Sequence, residues 1–373
     1  MMYFDNAATT CPSRSALDKA QQFNNEKFFN PSTLYSGGLN CAREIKSAKE
    51  TILKCLGTSN HEVIFTSCGS ESDNMAIFCA RQRGVFVTDK GEHSAVYQSF
   101  LELKNRGLQI EFIDLNPDGT VDEEKLYNYV KNSRVDFVSI AHVGNETGAI
   151  NDINKIAKKI KSINKDIIFH SDGVQAFGKI PYRLSQDIDL YSISAHKINA
   201  LKGVGALIKR KNLSIKPLIF GGGQENGLRS GTENVFGIKV FEFAAIEKYD
   251  NLQNNYEYVK SIKAYFEENL DRALFKIISA PNSSPYILTI SAVGLRGEVV
   301  MHSMEEFGLI VGNGSACSSK NRFSRVIEAC GYKNDVLDGV IRISFSTFNS
   351  INEAKNAVEI LNNTVKKLKG ILG

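Results

Sequence analysis

Lys197 closes the run Ser194-Ala195-His196-Lys197, directly behind a strand-like stretch at Asp189–Ser194. In open α/β sheets ligands gather beyond the carboxyl ends of strands. Lysine is the side chain that forms Schiff bases with carbonyl cofactors such as pyridoxal phosphate. Asp172 and Gln175 follow a second strand-like stretch, Asp166–His170. A carboxylate there can pair with a protonated pyridine nitrogen, and an amide can donate to a ring phenolate; in a plainer role Asp172 is a helix cap or turn residue. The segment TSCGSESDN, Thr66–Asn74, opens a helix with small residues and hydroxyls. Free backbone N–H groups and the helix dipole favour phosphate there, with Gly69 permitting close approach and Ser70 adding a hydroxyl. Ser194, His196 and Thr232 are further candidate phosphate donors.

Four more residues carry possible chemistry. His93, in TDKGEHSAV behind another strand, can stack on an aromatic cofactor ring and move protons. Asn145, in AHVGNETG, can bond a ring oxygen or a substrate carboxylate. Cys317 lies in VGNGSACSSK, a polar Gly/Ser run expected to form an exposed, mobile loop. A thiol there can enter a pocket, attack as its thiolate and withdraw. Arg342, in VIRISFS, is either a bidentate clamp on an amino-acid carboxylate or a charged residue on a half-buried strand. Taken singly, each of these residues also has an ordinary structural role. No metal-ligand set stands out.

The elements that must position these groups alternate. Strand-like runs at Val63–Thr66, Gly84–Thr88, Ile110–Asp114, Val135–His142, Asp166–His170, Asp189–Ser194 and Val204–Lys209 are mostly apolar on both faces. Amphipathic patterns at Glu123–Lys131 and Ile153–Ile163 lie between them. This predicts an α/β layer with a mostly parallel sheet between helices. From Phe241 the pattern changes to one long helix through Asn269, strands at Tyr286–Val293 and Val340–Ser346, a helix at Gly297–Phe307 and a last helix over Asn352–Lys369. The expectation is a large domain over residues 13–250 and a smaller α+β domain over 251–373, joined by the N-terminal segment 1–12.

The chain has 373 residues, 42% hydrophobic and 23% charged, enough to build a sizeable core. With 45 basic and 41 acidic side chains the net charge is +4, too weak to argue for direct nucleic-acid binding. No apolar run approaches a membrane span, and no secretory signal opens the chain. The seven cysteines are scattered without a C-x-x-C pair, which fits reduced thiols in the cytoplasm. All but Cys317 read as packing residues.

Together these segments resemble the cysteine desulfurases, pyridoxal-phosphate enzymes of fold type I within the class V aminotransferases. The resemblance runs in order from YFDNAATT through FFNPSTLYSGG, TSCGSESDN, EHSAV, HVGNETGAI, SDGVQAFGK, SAHKINALKGVGAL, GGGQENGLRSGTEN and GNGSACSS to IRISFS. It implies Lys197 as the Schiff-base lysine, Asp172 as the pyridinium partner and Gln175 and Asn145 as ring and substrate contacts. His93 becomes the stacking residue and proton shuttle. Gly69, Ser70, Ser194 and His196 become phosphate ligands. Thr232 is similar to a phosphate ligand that the family contributes from the other subunit, so a homodimer is implied. Arg342 would clamp the L-cysteine carboxylate, and Cys317 would take the sulfur as a persulfide, as in the iron–sulfur and nitrogen-fixation group. The acceptor would be another protein, such as an iron–sulfur scaffold or a component of tRNA thiolation. Transamination and selenocysteine lysis would use the same cofactor site. The chain departs from the family pattern at Tyr35, Gly144 and Asn199-Ala200-Leu201.

Overall fold

A computed structural model describes residues 1–313 and 323–372. A short first strand, β1 (Met2–Phe4), precedes the main sheet. That sheet contains β2 (His61–Thr66), β3 (Val85–Asp89), β4 (Ile110–Ile113), β5 (Val135–Ser139), β6 (Ile168–Asp172), β7 (Leu190–Ser194) and β8 (Gly205–Arg210). Their order across the sheet is β2-β8-β7-β6-β5-β3-β4. The β7, β6, β5, β3 and β4 neighbours pair in parallel, and only β8 runs against its neighbours. All five residues of β3, β5, β6 and β7 are buried, as strands covered by helices on both faces require. Loop length explains the reversal at β8. The connection over 195–204 is too short for a crossover, so the chain must return antiparallel. That tight return carries Lys197 at its start.

Beyond the main sheet lie β9 (Lys276–Ile277), β10 (Ile287–Ser291), β11 (Leu309–Val311) and β12 (Val340–Ser344). The antiparallel order is β9-β10-β12, and β1 pairs in parallel with β11. A separate apolar core gathers Phe4, Val259, Phe266, Leu288, Ile341, Phe345 and Leu361 around these strands and the helices Leu252–Asn269 and Ile351–Leu372. The edges Phe4–Phe266 and Phe4–Phe345, with centroids 5.4 and 5.9 Å apart, tie the first strand into this core.

Two readings of the elements need correction. The single helix expected over Phe241–Asn269 is two, Val235–Asp250 and Leu252–Asn269, broken at Asn251. Asn251 leaves the helical region (φ −126°, ψ 21°), and its backbone N–H bonds the Tyr249 carbonyl in place of the next helical turn. The first helix packs into the main core and the second into the separate one. Second, β6 extends two residues further than expected, so Asp172 is its last residue, held in the ladder opposite Ser192. No described helix is long and apolar enough to cross a membrane.

Candidate active site

The carboxyl ends of β6 and β7 and the start of the helix Gly69–Phe78 enclose a cavity of about 250 Å³. Its lining brings together Gly69, Ser70, His93, Asn145, Asp172, Gln175, Ser194, His196 and Lys197. These residues come from five separate stretches of sequence.

Lys197 Nζ donates to the carbonyls of Ala7 (2.5 Å) and Ala8 (2.7 Å), so the N-terminal segment forms part of the site. Gln175 Nε2 donates to the same Ala7 carbonyl at 3.0 Å, while Lys179 Nζ holds Gln175 Oε1 at 2.7 Å. Burial drives the Lys179 ammonium well below its usual range, with the Lys197 charge adding to the effect. Asp172 Oδ1 accepts from Val174 N at 2.8 Å. Burial pushes its carboxyl up to about 6, opposed by the Val174 amide and then the Lys197 charge. His93 caps the helix Ser94–Asn105, its Nδ1 accepting from Ala95 N at 3.1 Å. Nδ1 is therefore the bare nitrogen and Nε2 carries the proton. Burial, then the Lys197 and Arg342 charges, lower His93 to about 4, so the ring is neutral near pH 7.

The helix Gly69–Phe78 starts with no side-chain cap, which leaves backbone donors for an anion. Ser194 Oγ is buried with no hydrogen-bond partner among the described residues, and His196 Nδ1 meets Thr9 Oγ1 at 3.1 Å. A Cβ on Gly69 would lie 2.8 Å from Val174 Cγ2 and 3.3 Å from Ser194 Cβ, so only glycine keeps this corner open. An uncapped helix start, an orphaned hydroxyl and a carboxylate across the cavity fit the phosphate and the pyridine nitrogen of pyridoxal phosphate.

Arg342 is buried in β12, not on a solvent face. It donates to the Asn145 carbonyl (3.0 Å) and to Asp5 Oδ1 (2.9 Å), leaving Nε without a partner among the described residues. It stands behind Asn145 and is not part of the cavity lining. Thr232 is exposed and likewise outside the lining. Its neighbour Arg229 bonds Glu71 at 2.8 Å, which fastens that loop to the first turn of the helix Gly69–Phe78. Cys317 lies outside the described residues. Two residues shortly after that stretch are tied back to the site: Ser324 Oγ donates to Glu146 Oε2 (2.5 Å), and Arg325 Nη2 donates to the Glu92 carbonyl (2.6 Å).

The packing role expected of the other cysteines holds for Cys41, Cys79 and Cys330, which are buried. It fails for Cys11, which is exposed, and for Cys68, which lines the cavity. Sequence reasoning also missed Asp73, Ala8 and Asp5. An acid on a helix whose neighbours Met75, Ala76 and Ile77 are apolar was the available signal for Asp73.

The fold agrees with the comparisons. The chain matches the aminotransferase class-V family over residues 2–356, and it belongs to that family. It is 34% identical over 384 aligned residues to the cysteine desulfurase IscS of Dictyoglomus turgidum, covering 99% of this chain and 96% of that one. A solved NifS-like protein superposes with a TM-score of 0.91 at 30% identity, covering 98% of this chain and 99% of that one. SspA in complex with cysteine superposes with a TM-score of 0.80 at 27% identity, covering 94% of this chain and 100% of that one.

Proposed function

We propose that this protein is a pyridoxal-phosphate-dependent cysteine desulfurase. It converts L-cysteine to L-alanine and holds the sulfur as a persulfide on Cys317 for transfer to an acceptor. The observation that carries this reading is the convergence of Lys197, Asp172, His93 and Gln175 on one cavity lined also by an uncapped helix start.

Pyridoxal phosphate, when bound, supplies an electron sink that makes the substrate Cα–H acidic. Gly69, Ser70, Ser194 and His196 would hold its phosphate, joined by Thr232 of a second copy of the chain. Asp172, as its carboxylate, would keep the ring nitrogen protonated, and the pyridinium charge would in turn offset the burial that raises this carboxyl. Gln175, fixed by Lys179, would orient the ring oxygen. Lys197 would anchor the cofactor and carry the substrate Cα proton. His93, neutral with its proton on Nε2, would cover the ring and exchange protons. Arg342 would receive the substrate carboxylate on its uncommitted edge, beside Asn145. At Cys317 an S–S bond forms between the thiolate and the substrate sulfur while the Cβ–S bond breaks. The electron pair stays with carbon, which takes a proton, and alanine leaves.

The six described cysteines are all free thiols, which supports a reducing, cytoplasmic setting. The domain boundary belongs at 250/251, with 13–250 and 251–373 as the two domains and 1–12 joining them; the apolar clusters change over at the Asn251 break. A homodimer is supported by the exposed Leu34 (89%), Phe220 (82%) and Phe28 (69%).

The test is an absorbance spectrum of the holoprotein before and after L-cysteine, with alanine and sulfide measured together. Lys197→Ala should lose both the bound-cofactor band and alanine formation. Cys317→Ser should keep the band and lose sulfide production. Full desulfurase activity in Cys317→Ser would remove that residue from the reaction. A keto acid in place of alanine would make the protein an aminotransferase.

A further inference from the structure

Arg325 reaches the turn that presents His93, a contact that the reaction above does not use. It opens the short helix Arg325–Ala329 and comes 233 residues after Glu92 in the chain. Its own place is fixed by Ser324, whose Oγ accepts from Ile327 N at 3.1 Å and donates to Glu146 Oε2. From there the guanidinium makes three contacts. Nη1 donates to the Lys90 carbonyl, and Nη2 donates to the Glu92 carbonyl at 2.6 Å. The guanidinium carbon lies 3.7 Å from the centre of the Tyr97 ring.

These contacts bracket His93 on both sides. Lys90 and Glu92 belong to the turn before it, and Tyr97 stands in the helix Ser94–Asn105 that His93 caps. The near end of the turn is tied to the main sheet. Lys90 N donates to the Ile113 carbonyl at 3.0 Å, and Gly91 N donates to Asp89 Oδ1 at 2.6 Å. Glu92, the residue before His93, is held twice: its carboxyl by Ser139 Oγ at 3.0 Å, its carbonyl by Arg325. A planar forked donor can span two carbonyls and lay its face on an aromatic ring, and a lysine ammonium can do neither.

The consequence at His93 follows from its cap bond. Nδ1 accepts from Ala95 N only while the ring sits over the helix start. That bond occupies the nitrogen that would take a proton, and so favours the neutral ring. Polar atoms of Asp73 and Asp172 lie within 4.8 Å of the ring's, and Lys197, Arg342 and Arg325 are the cations nearby. We propose that Arg325 is a positioning residue for His93: its grip on the Lys90 and Glu92 carbonyls, braced by Tyr97, holds the ring in its cap beside the cavity. A side chain that follows the Cys317 stretch thereby places the residue that covers the cofactor ring. That covering role rests on the function proposed above.

The experiment compares Arg325→Lys, which keeps the charge and loses the fork, with Arg325→Gln, which loses both. In the cofactor-free protein, NMR follows the His93 ring through a pH titration and hydrogen exchange at the Ala95 amide. Both variants should move the His93 midpoint up from about 4 towards its ordinary 6.5. Both should speed Ala95 exchange roughly fivefold, as the loss of one helix cap would. A midpoint that rises in Arg325→Gln alone, with Arg325→Lys like wild type, overturns the proposal, because charge would then suffice. An equal disturbance at His142, buried elsewhere, marks general loosening and overturns it too. If Arg325→Gln does not fold, Arg325→Lys alone decides. These readings need no cofactor, so they stand or fall separately from the enzymatic reading. In the holoprotein, Arg325→Lys should lower kcat for alanine formation about tenfold, with KM for L-cysteine within about twofold, since a misplaced proton carrier slows the reaction without weakening binding. A rise in KM alone overturns the link to the reaction. A wild type that forms no alanine would sink the desulfurase reading and leave the NMR result standing.

Discussion

At His142 the protein carries an imidazole that does no chemistry yet leaves a measurable mark. Its Nδ1 meets Tyr191 Oη at 3.0 Å, and burial lowers it to about 3. The unfolded chain takes up that proton near the ordinary value of 6.5, so the stability held by the neutral ring is lost as pH falls from there towards 3. His142→Asn lacks this dependence. The stability gap between wild type and variant should narrow by about 2 kcal/mol from about pH 7 to about pH 5, at about 1.4 kcal/mol per pH unit. Urea melts across that range measure it, and a constant gap would mean that the ring is not held neutral. His93 shows the contrast: it has the same depressed direction, but the Lys197 and Arg342 charges join burial as its causes because it faces the site.

Elements decide whether those residues meet. The antiparallel return of β8 presses against the helix start, where a Cβ on Gly205 would stand 2.5 Å from the Cys68 carbonyl carbon. Gly205→Ala should cost about 1–3 kcal/mol as an overpacked contact. Because the strain falls on the helix start, cofactor affinity should drop with it; calorimetry with pyridoxal phosphate reads this, and unchanged affinity would separate that helix start from the phosphate. The first strand has a matching role at the opposite side of the site. Asp5 follows β1 and holds the Arg342 guanidinium at 2.9 Å. Asp5→Asn should raise KM for L-cysteine by roughly tenfold or more, with a smaller change in kcat, since a clamp lost from substrate binding acts on KM first. A kcat loss without a KM change would place Arg342 elsewhere in the reaction.

For the whole molecule the question is what covers Leu34 and Phe220, two large apolar side chains left open to solvent. Phe220 precedes the loop that Arg229 fastens beside the anion-ready helix start, so a second copy seated there would reach the cofactor corner. Phe220→Asp should shift sedimentation towards monomer and make cofactor retention fall on dilution. A variant that stays associated would leave Thr232 without its proposed route into a neighbouring site.

Several candidate groups were legible in the sequence because they sit at a strand end or helix start, boundaries written in short apolar runs and small residues; Arg342, in the middle of β12, is not one of them. That rule marked Lys197, Asp172, His93 and the Thr66–Asn74 segment as candidates and the family resemblance supplied their expected roles, whereas buried parallel strands needed only their unbroken apolar runs. What tertiary structure alone decided is which distant groups meet. The Ala7 and Ala8 carbonyls at Lys197, Asp5 at Arg342 and Asp73 beside Asp172 depend on sheet order and on a first strand that pairs with β11. The pair of hydrogen bonds that joins Glu92 to His170 through Ser139 is the plainest case. A buried acid and a buried histidine look like misplaced polar residues in one dimension, and only the register of three neighbouring strands brings them within hydrogen-bonding reach.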